Sequence, residues 1–124
     1  MQKSIRFGDL STPTDLHSVL LLDHLHAGVV LSGNIPVLFV NEPMFIASGR
    51  DSDLNYNSAY PRWAYDQYRA ILSSEAAANG WNYADLWNAL PQADFSDNPL
   101  HLTPAGERLL AQKLQPAVRQ AACP

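Results

Sequence analysis

The chain has 124 residues, of which 47% are hydrophobic and 16% are charged, and its formal net charge is −4. This composition excludes a disordered polymer and is typical of one globular domain with a single core. The few basic residues form no Lys/Arg stripe, which argues against nucleic acid as a partner, and the single cysteine, Cys123, excludes an internal disulfide framework.

The chain offers no apolar segment that is long enough to span a bilayer. Residues 1–6 lack the apolar stretch of a signal peptide, and the most apolar run, residues 19–31, is interrupted by Asp23, His24 and His26. We therefore expect no membrane partner and, by default, a cytoplasmic protein. A targeting signal further upstream would change that expectation.

The first predicted element is a helix over residues 11–32. Ser11 or Thr12 can cap its N-terminus, and Asp15 lies in the first turn, where the helix dipole favours a negative charge. Gly33 and the residue after it should end the helix. The histidines of this helix, His17, His24 and His26, are spaced unfavourably for a shared metal, so no metal site is expected.

A strand is predicted at residues 35–40, which form a continuous apolar run. Such a run is typical of a parallel strand that is covered on both faces. Asn41 and Glu42 follow it, at the end of the strand where α/β proteins place their binding crevice. We predict that both line a substrate site, the alternative being that Asn41 caps the turn at Pro43.

The middle of the chain predicts a functional loop, a second helix and a second strand. Residues 44–60 are rich in Gly, Ser, Asn and Asp, and a loop of this length is often a lid or a substrate wall. A helix should begin near Pro61 and end at Asn79 and Gly80. Residues 81–87 read as the second strand.

The last predicted element is a helix that Thr103 caps and Pro104 begins. Its packing face is expected to be Leu109, Leu110, Leu114 and Val118, and Pro116 should kink or shorten it. The order of helices and strands predicts an α/β sandwich with a parallel sheet, formed by residues 1–124 as a single domain.

Asp97 and His101 are the strongest catalytic candidates. His101 lies on a short loop directly before a docked helix, with the acid four residues ahead of it. A carboxylate can bond one ring nitrogen, fix the tautomer and leave the other nitrogen free to act as a base. The alternative is an ordinary turn with solvated polar side chains.

The segments "IPVLFVNEPMF", "YPRWAYDQYR" and "FSDNPLHLTPAGERLLAQKL" together resemble the C-terminal half of an SGNH/GDSL-type hydrolase. The resemblance implies a three-layer α/β/α sandwich of flavodoxin-like form. It also implies hydrolysis of small-molecule or carbohydrate acyl esters through a Ser-His-Asp arrangement, without a metal or an organic cofactor. His101 would be the general base and Asp97 its orienting acid.

Two departures from that family bear on the activity. The family places its acid three residues before the histidine, where this chain has Asn98, so either Asp97 reaches the ring across a longer loop or Asn98 is a weaker orienter. The Gly-Asp-Ser nucleophile block is also missing. Gly8-Asp9-Leu10-Ser11 is the nearest match, with Ser11 one position late, and we interpret it as an ordinary start of the first helix.

We therefore expect the chain to be the C-terminal part of a serine ester hydrolase. On its own this part should be inactive, because the nucleophile block is missing. The alternative is a non-catalytic binding or assembly module that keeps the α/β scaffold. A sheet of two or three strands leaves unpaired edges, so such a module would associate with itself or with a missing N-terminal half.

Overall fold

A computed structural model describes residues 13–123 and combines three helices with a small parallel sheet. Two short 3₁₀ turns, at Leu16–Ser18 and Gln92–Asp94, accompany the larger elements. In chain order these are α1 (Leu22–Ser32), β1 (Leu38–Asn41), α2 (Arg62–Asn79), β2 (Asn82–Asp85) and α3 (Pro104–Ala122).

The sheet pairs β1 with β2 in parallel, with Leu38 opposite Asn82 and Asn41 opposite Asp85. Parallel strands need a crossover connection, and α2 lies within that connection. The prediction of a mixed α/β fold with a parallel pair is confirmed. The carboxyl ends of both strands lie at the same edge, which places Asn41 and Asp85 side by side.

The prediction of one continuous helix over residues 11–32 is wrong. Its proposed caps, Ser11 and Thr12, lie outside the described residues. Leu16–Ser18 form a 3₁₀ turn in which the Asp15 carboxylate accepts from the His17 backbone N–H at 2.9 Å, and α1 begins only at Leu22. The Leu16 N–H donates to Gln67 of α2 while the Leu16 side chain is fully buried, so a tertiary contact interrupts the helix.

The ends of the other two helices follow the predicted local chemistry. Gly80 ends α2 in the left-handed conformation with φ 64°. Thr103 caps α3 by accepting from the Gly106 N–H at 3.1 Å, and Pro104 occupies its first turn. Both predictions are confirmed.

Pro116 does not shorten α3, which continues to Ala122. A proline leaves the carbonyl four residues earlier without its helical donor, and here that residue, Gln112, is exposed, so water can satisfy the carbonyl. The prediction that Val118 packs is wrong, because its side chain is 47% exposed. The other residues of the predicted packing face are half-buried: Leu109, Leu110 and Leu114.

The core consists of two clusters packed around α2. The first contains Leu16, Ala64 and Ile71, and the second contains Met44, Tyr56 and Tyr65. Met44 and Tyr56 belong to the long loop, which forms neither helix nor strand apart from an isolated bridge between Asn55 and Pro61. The loop is therefore anchored in the core.

α1 is held differently from the other helices, since it buries none of its residues. His26 Nε2 lies 2.6 Å from Glu75 Oε1 of α2, and its ring meets the Trp81 ring edge-on with a centroid distance of 4.7 Å. The apolar residues at the end of α1 are exposed: Val30 by 78% and Leu31 by 86%. Within residues 13–123, no helix is both long enough and apolar enough to cross a membrane.

Candidate active site

The loop that carries His101 is closed at its base. Phe95 and Leu102 form an antiparallel bridge, and the Ser96 N–H donates to the His101 carbonyl at 2.9 Å. The Phe45 N–H donates to the Pro99 carbonyl at 2.8 Å, which ties this loop to the chain that leaves β1. The backbone of His101 is thus fixed relative to both the sheet and α3.

The first turn of α3 packs directly against the start of this loop. The Thr103 N–H donates to the Asp94 carbonyl at 2.8 Å. A Cβ atom placed on Gly106 would lie 2.5 Å from that same carbonyl oxygen and 3.0 Å from the Asp94 Cβ. The helix can therefore approach the loop only because residue 106 has no side chain.

The imidazole of His101 has two polar neighbours on its Nδ1 side. Asn98 Nδ2 lies 2.8 Å from Nδ1, and Asp97 Oδ1 lies 3.5 Å from it. The Asn98 Oδ1 accepts from the backbone N–H groups of Leu100 and His101 at 2.8 and 3.0 Å. These two donors fix the orientation of the amide, so its NH₂ group is the one that faces the ring.

This amide orientation determines which nitrogen of the neutral ring carries the proton. Because Asn98 Nδ2 is a donor, Nδ1 must accept, and the proton then lies on Nε2. A general base that acts at Nε2 needs the opposite tautomer, in which Nδ1–H donates to an acceptor such as the Asp97 carboxylate. The two neighbours of His101 therefore favour opposite chemical roles for its ring.

Asp97 is an exposed carboxylate, with 84% of its side chain accessible. The Ser96 hydroxyl, which donates to it at 3.0 Å, holds the pKa of Asp97 below its usual value, and its own backbone N–H and His101 contribute further. The Asp97 carboxylate is therefore ionised at neutral pH, and it can accept a hydrogen bond from Nδ1 when that nitrogen carries a proton. Its exposure means that water screens its pairing with the imidazole.

Asn41 and Glu42 line one cavity of about 370 Å³ between the carboxyl end of β1 and α2. Leu100, the residue before His101, lines the same cavity, together with Tyr60, Tyr65 and Tyr68. The His101 side chain is not part of its wall and is 69% exposed. The structure thus brings Asn41 and Glu42 close to the loop that carries His101, while the imidazole itself lies outside the wall of the cavity.

The Asn41 amide is already occupied by protein partners. Asn41 Nδ2 donates to Asp85 Oδ1 at 2.9 Å, and the Tyr65 hydroxyl donates to Asn41 Oδ1 at 3.3 Å. Arg69 donates to Asp85 Oδ2 through Nε and Nη2, at 3.1 and 2.8 Å. Burial raises the pKa of Tyr65, so it stays a neutral donor. Asn41 therefore joins both strands to α2.

Sequence reasoning missed Tyr65, Arg69 and Asp85. Asp85 was recognisable by its place at the carboxyl end of a predicted strand, in the position equivalent to Asn41. Tyr65 and Arg69 lie on α2, and nothing in their spacing indicates that they meet the polar side chains at the strand ends.

The nucleophile is not identified among the described residues. Ser11 lies outside them. Ser96 is near in sequence, but its Oγ hydrogen-bonds to Asp97 and to the His101 carbonyl at 3.2 Å. Across residues 13–123, no serine hydroxyl hydrogen-bonds to the imidazole, and no three His, Cys, Asp or Glu side chains are grouped to hold a metal ion.

No family model, curated protein or solved structure matches this chain. The resemblance to SGNH/GDSL-type hydrolases therefore rests on the residues of the three quoted segments alone.

Proposed function

We propose that this chain is the histidine-bearing part of a serine ester hydrolase with a three-layer α/β/α domain of the SGNH type. One observation carries the proposal. The Nδ1 atom of His101 faces an amide at 2.8 Å and a carboxylate at 3.5 Å, directly before a capped helix, while most of the ring stays accessible to a reacting partner.

In the proposed reaction, a serine hydroxyl attacks the ester carbonyl and His101 Nε2 takes its proton. The imidazolium then protonates the leaving alcohol, and water hydrolyses the acyl-enzyme by the same route. Asp97 accepts the Nδ1–H during both steps, which requires that it replace Asn98 as the nearest partner of Nδ1. The cavity beside Asn41 and Glu42 would hold the ester.

The proposal requires a serine from outside residues 13–123, supplied by Ser11, by further coding sequence or by a second chain. We expect the chain alone to hydrolyse esters slowly or not at all, since without a nucleophile only residual catalysis is left. Turnover that disappears in both Ser11→Ala and His101→Ala would overturn that expectation and assign the nucleophile to Ser11.

The decisive experiment reads the coding sequence upstream of Met1 and expresses the full open reading frame. An in-frame Gly-Asp-Ser block, with p-nitrophenyl acetate hydrolysis that falls by about a thousandfold or more in His101→Ala, is the expected result. His24→Ala is the matched control, since His24 is exposed on α1. Full activity in His101→Ala would refute the proposal. Absence of the block would refute an upstream serine and leave Ser11 or a second chain as its source.

A second candidate, an assembly module, is favoured by the exposed apolar side chains around the end of α1. Val30, Leu31 and Ile35 are 78%, 86% and 73% exposed, and such a patch is typical of an interaction surface. Sedimentation should then show self-association that Leu31→Lys disrupts. Leu54→Lys, in the long loop before α2 and also exposed, at 69%, should leave the association intact. A monodisperse monomer would count against this candidate.

A further inference from the structure

The cavity of about 370 Å³ at the carboxyl end of β1 has an aromatic wall. Three phenol rings line it: Tyr60 and Tyr68, which are half-buried, and Tyr65, which is 4% exposed. The Tyr65 ring packs against both of the others, with centroid distances of 5.2 Å to Tyr60 and 5.6 Å to Tyr68. The cavity is half-open, so a ligand can reach the exposed parts of Tyr60 and Tyr68 from solvent.

The only formal charge in this wall is negative. Glu42 is exposed, and its carboxylate has no hydrogen bond or ion pair within the described part of the chain. No described lysine or arginine lines the cavity, and Arg69, which donates to Asp85, is not part of the wall. Burial raises the pKa of both Tyr65 and Tyr68, and Asp85 adds to each shift, so these two phenols are uncharged at neutral pH. The charge of the wall therefore complements a cation.

An aromatic wall with one carboxylate suits a particular kind of cation. A cation over the face of a tyrosine ring is attracted by the ring electrons, and aromatic cages of this kind recognise quaternary ammonium ligands. A primary ammonium is strongly hydrated and brings three N–H donors, each of which needs an acceptor once water is removed. The wall offers only one charged acceptor, the Glu42 carboxylate, because the Asn41 amide is already bonded within the protein. A quaternary ammonium has no N–H group and needs only the rings and the negative charge.

We propose that this cavity binds a quaternary ammonium group, which lies against the rings of Tyr60 and Tyr68 and is neutralised by Glu42. The substrate class follows from the proposed ester hydrolysis, on which this second step rests: short acyl esters of a quaternary amino alcohol such as choline. At about 30 Å³ per group, the share of one water molecule in the liquid, the cavity holds roughly twelve non-hydrogen atoms, enough for such an ester. Leu100 lines the cavity and precedes His101, so the acyl end would lie towards the His101 loop.

The binding test compares choline with neohexanol, the neutral analogue in which a carbon atom replaces the nitrogen. Titrations of the chain are followed by the methyl NMR signals of Val40 and Leu100, two residues of the cavity wall. We expect choline to bind about three- to thirtyfold tighter than neohexanol, and ethanolamine to bind more weakly than choline. Glu42→Gln should weaken choline binding about threefold or more and leave neohexanol unchanged. Glu107→Gln, which removes an exposed carboxylate outside the wall, should change neither affinity.

Two variants of Tyr60 test the aromatic contribution. Tyr60→Leu keeps an apolar side chain but removes the ring, so it should weaken choline more than neohexanol, whereas Tyr60→Phe should keep most of the preference. If a Tyr60 variant does not melt cooperatively, Glu42→Gln decides, since Glu42 is exposed. Equal affinities of choline and neohexanol in the wild type, failure of choline to saturate, or shifts confined to methyl groups outside this wall would overturn the proposal.

A hydrolysis assay separates the failure of this inference from the failure of the proposed function. With the full open reading frame, we expect kcat/KM for acetylcholine to exceed that for neohexyl acetate by about threefold or more. Hydrolysis of both esters at equal kcat/KM, lost in His101→Ala, would refute the substrate class and leave the hydrolase in place. Saturable choline binding without any hydrolysis that depends on His101 would support the cation site and refute the hydrolase.

Discussion

Gly106→Ala offers a sharp test of how the His101 loop is positioned. The new methyl group would lie 2.5 Å from the Asp94 carbonyl oxygen, a distance that real Cβ atoms essentially never show. The obstructing atom is backbone, and that same carbonyl accepts from the Thr103 N–H. To relieve the clash, the first turn of α3 and the start of the loop must separate.

The size of the effect follows from two opposing contributions. Overpacking costs about 1–3 kcal/mol, and a rigid backbone neighbour argues for the upper end. Replacing glycine by alanine in a helix raises the free energy of unfolding by at most about 1 kcal/mol. We therefore expect a net loss of about 2 kcal/mol in the free energy of unfolding, or a fall of roughly 8 °C in Tm for a chain of this size.

Gly28→Ala is the matched control, because Gly28 also lies inside a helix. Its added methyl group would meet no atom within 4 Å among the described residues. Only the gain in helix propensity remains, so we expect Tm to rise by about 3 °C. Circular dichroism melts of both variants measure the difference. A Gly106→Ala protein that melts at or above the wild type would refute the packing of α3 against Asp94.

The remaining predictions concern the imidazole, the strand ends and the buried phenol. Asn98→Asp replaces the donor that faces His101 Nδ1 by an acceptor, so ¹⁵N spectra of the neutral ring should change from the Nε2–H to the Nδ1–H tautomer. The same tautomer in both proteins would contradict the amide orientation. Asn41→Ala leaves the buried Tyr65 hydroxyl without its acceptor, while Asp85 keeps Arg69, and should cost about 1–3 kcal/mol in urea unfolding. Asn34→Ala, at an exposed turn, should change the free energy of unfolding by under about 0.5 kcal/mol. Burial raises the pKa of Tyr83 from 10.0 to about 12, so the unfolded chain ionises first and stability falls as the pH rises above 10. Tyr83→Phe should make that alkaline fall shallower, and an unchanged pH dependence would show that the phenol ionises equally in both states.

The elements that sequence predicted well are those whose causes are local. Thr103 and Pro104 define the start of α3 through their own backbone and side-chain chemistry, and Gly80 ends α2 through a conformation that glycine adopts easily. The parallel pair followed from an apolar run at residues 35–40, although β1 itself is displaced towards Asn41.

The features that sequence could not predict depend on partners far along the chain. The break before α1 follows from the contact of Leu16 with Gln67, which is 51 residues away. The partners of the Asn41 amide, Tyr65 and Asp85, lie 24 and 44 residues away from it along the chain. The spacing of Asp97, Asn98 and His101 left the nearest partner of the ring open, since two backbone N–H groups determine which atom of the amide faces Nδ1.

The weak attachment of α1 has a consequence for access to the interior. A helix that buries no residue fully, and is held by the contacts of His26 with Glu75 and Trp81 and by the packing of Leu22, has a lower free energy of local opening than the core helix α2. Leu22 and Leu25 of this helix line a half-open groove together with Phe39 and Trp81. Transient release of α1 would expose these side chains to solvent while α2, α3 and the strand pair stay folded. Amide hydrogens of α1 should accordingly exchange with solvent long before those of α2.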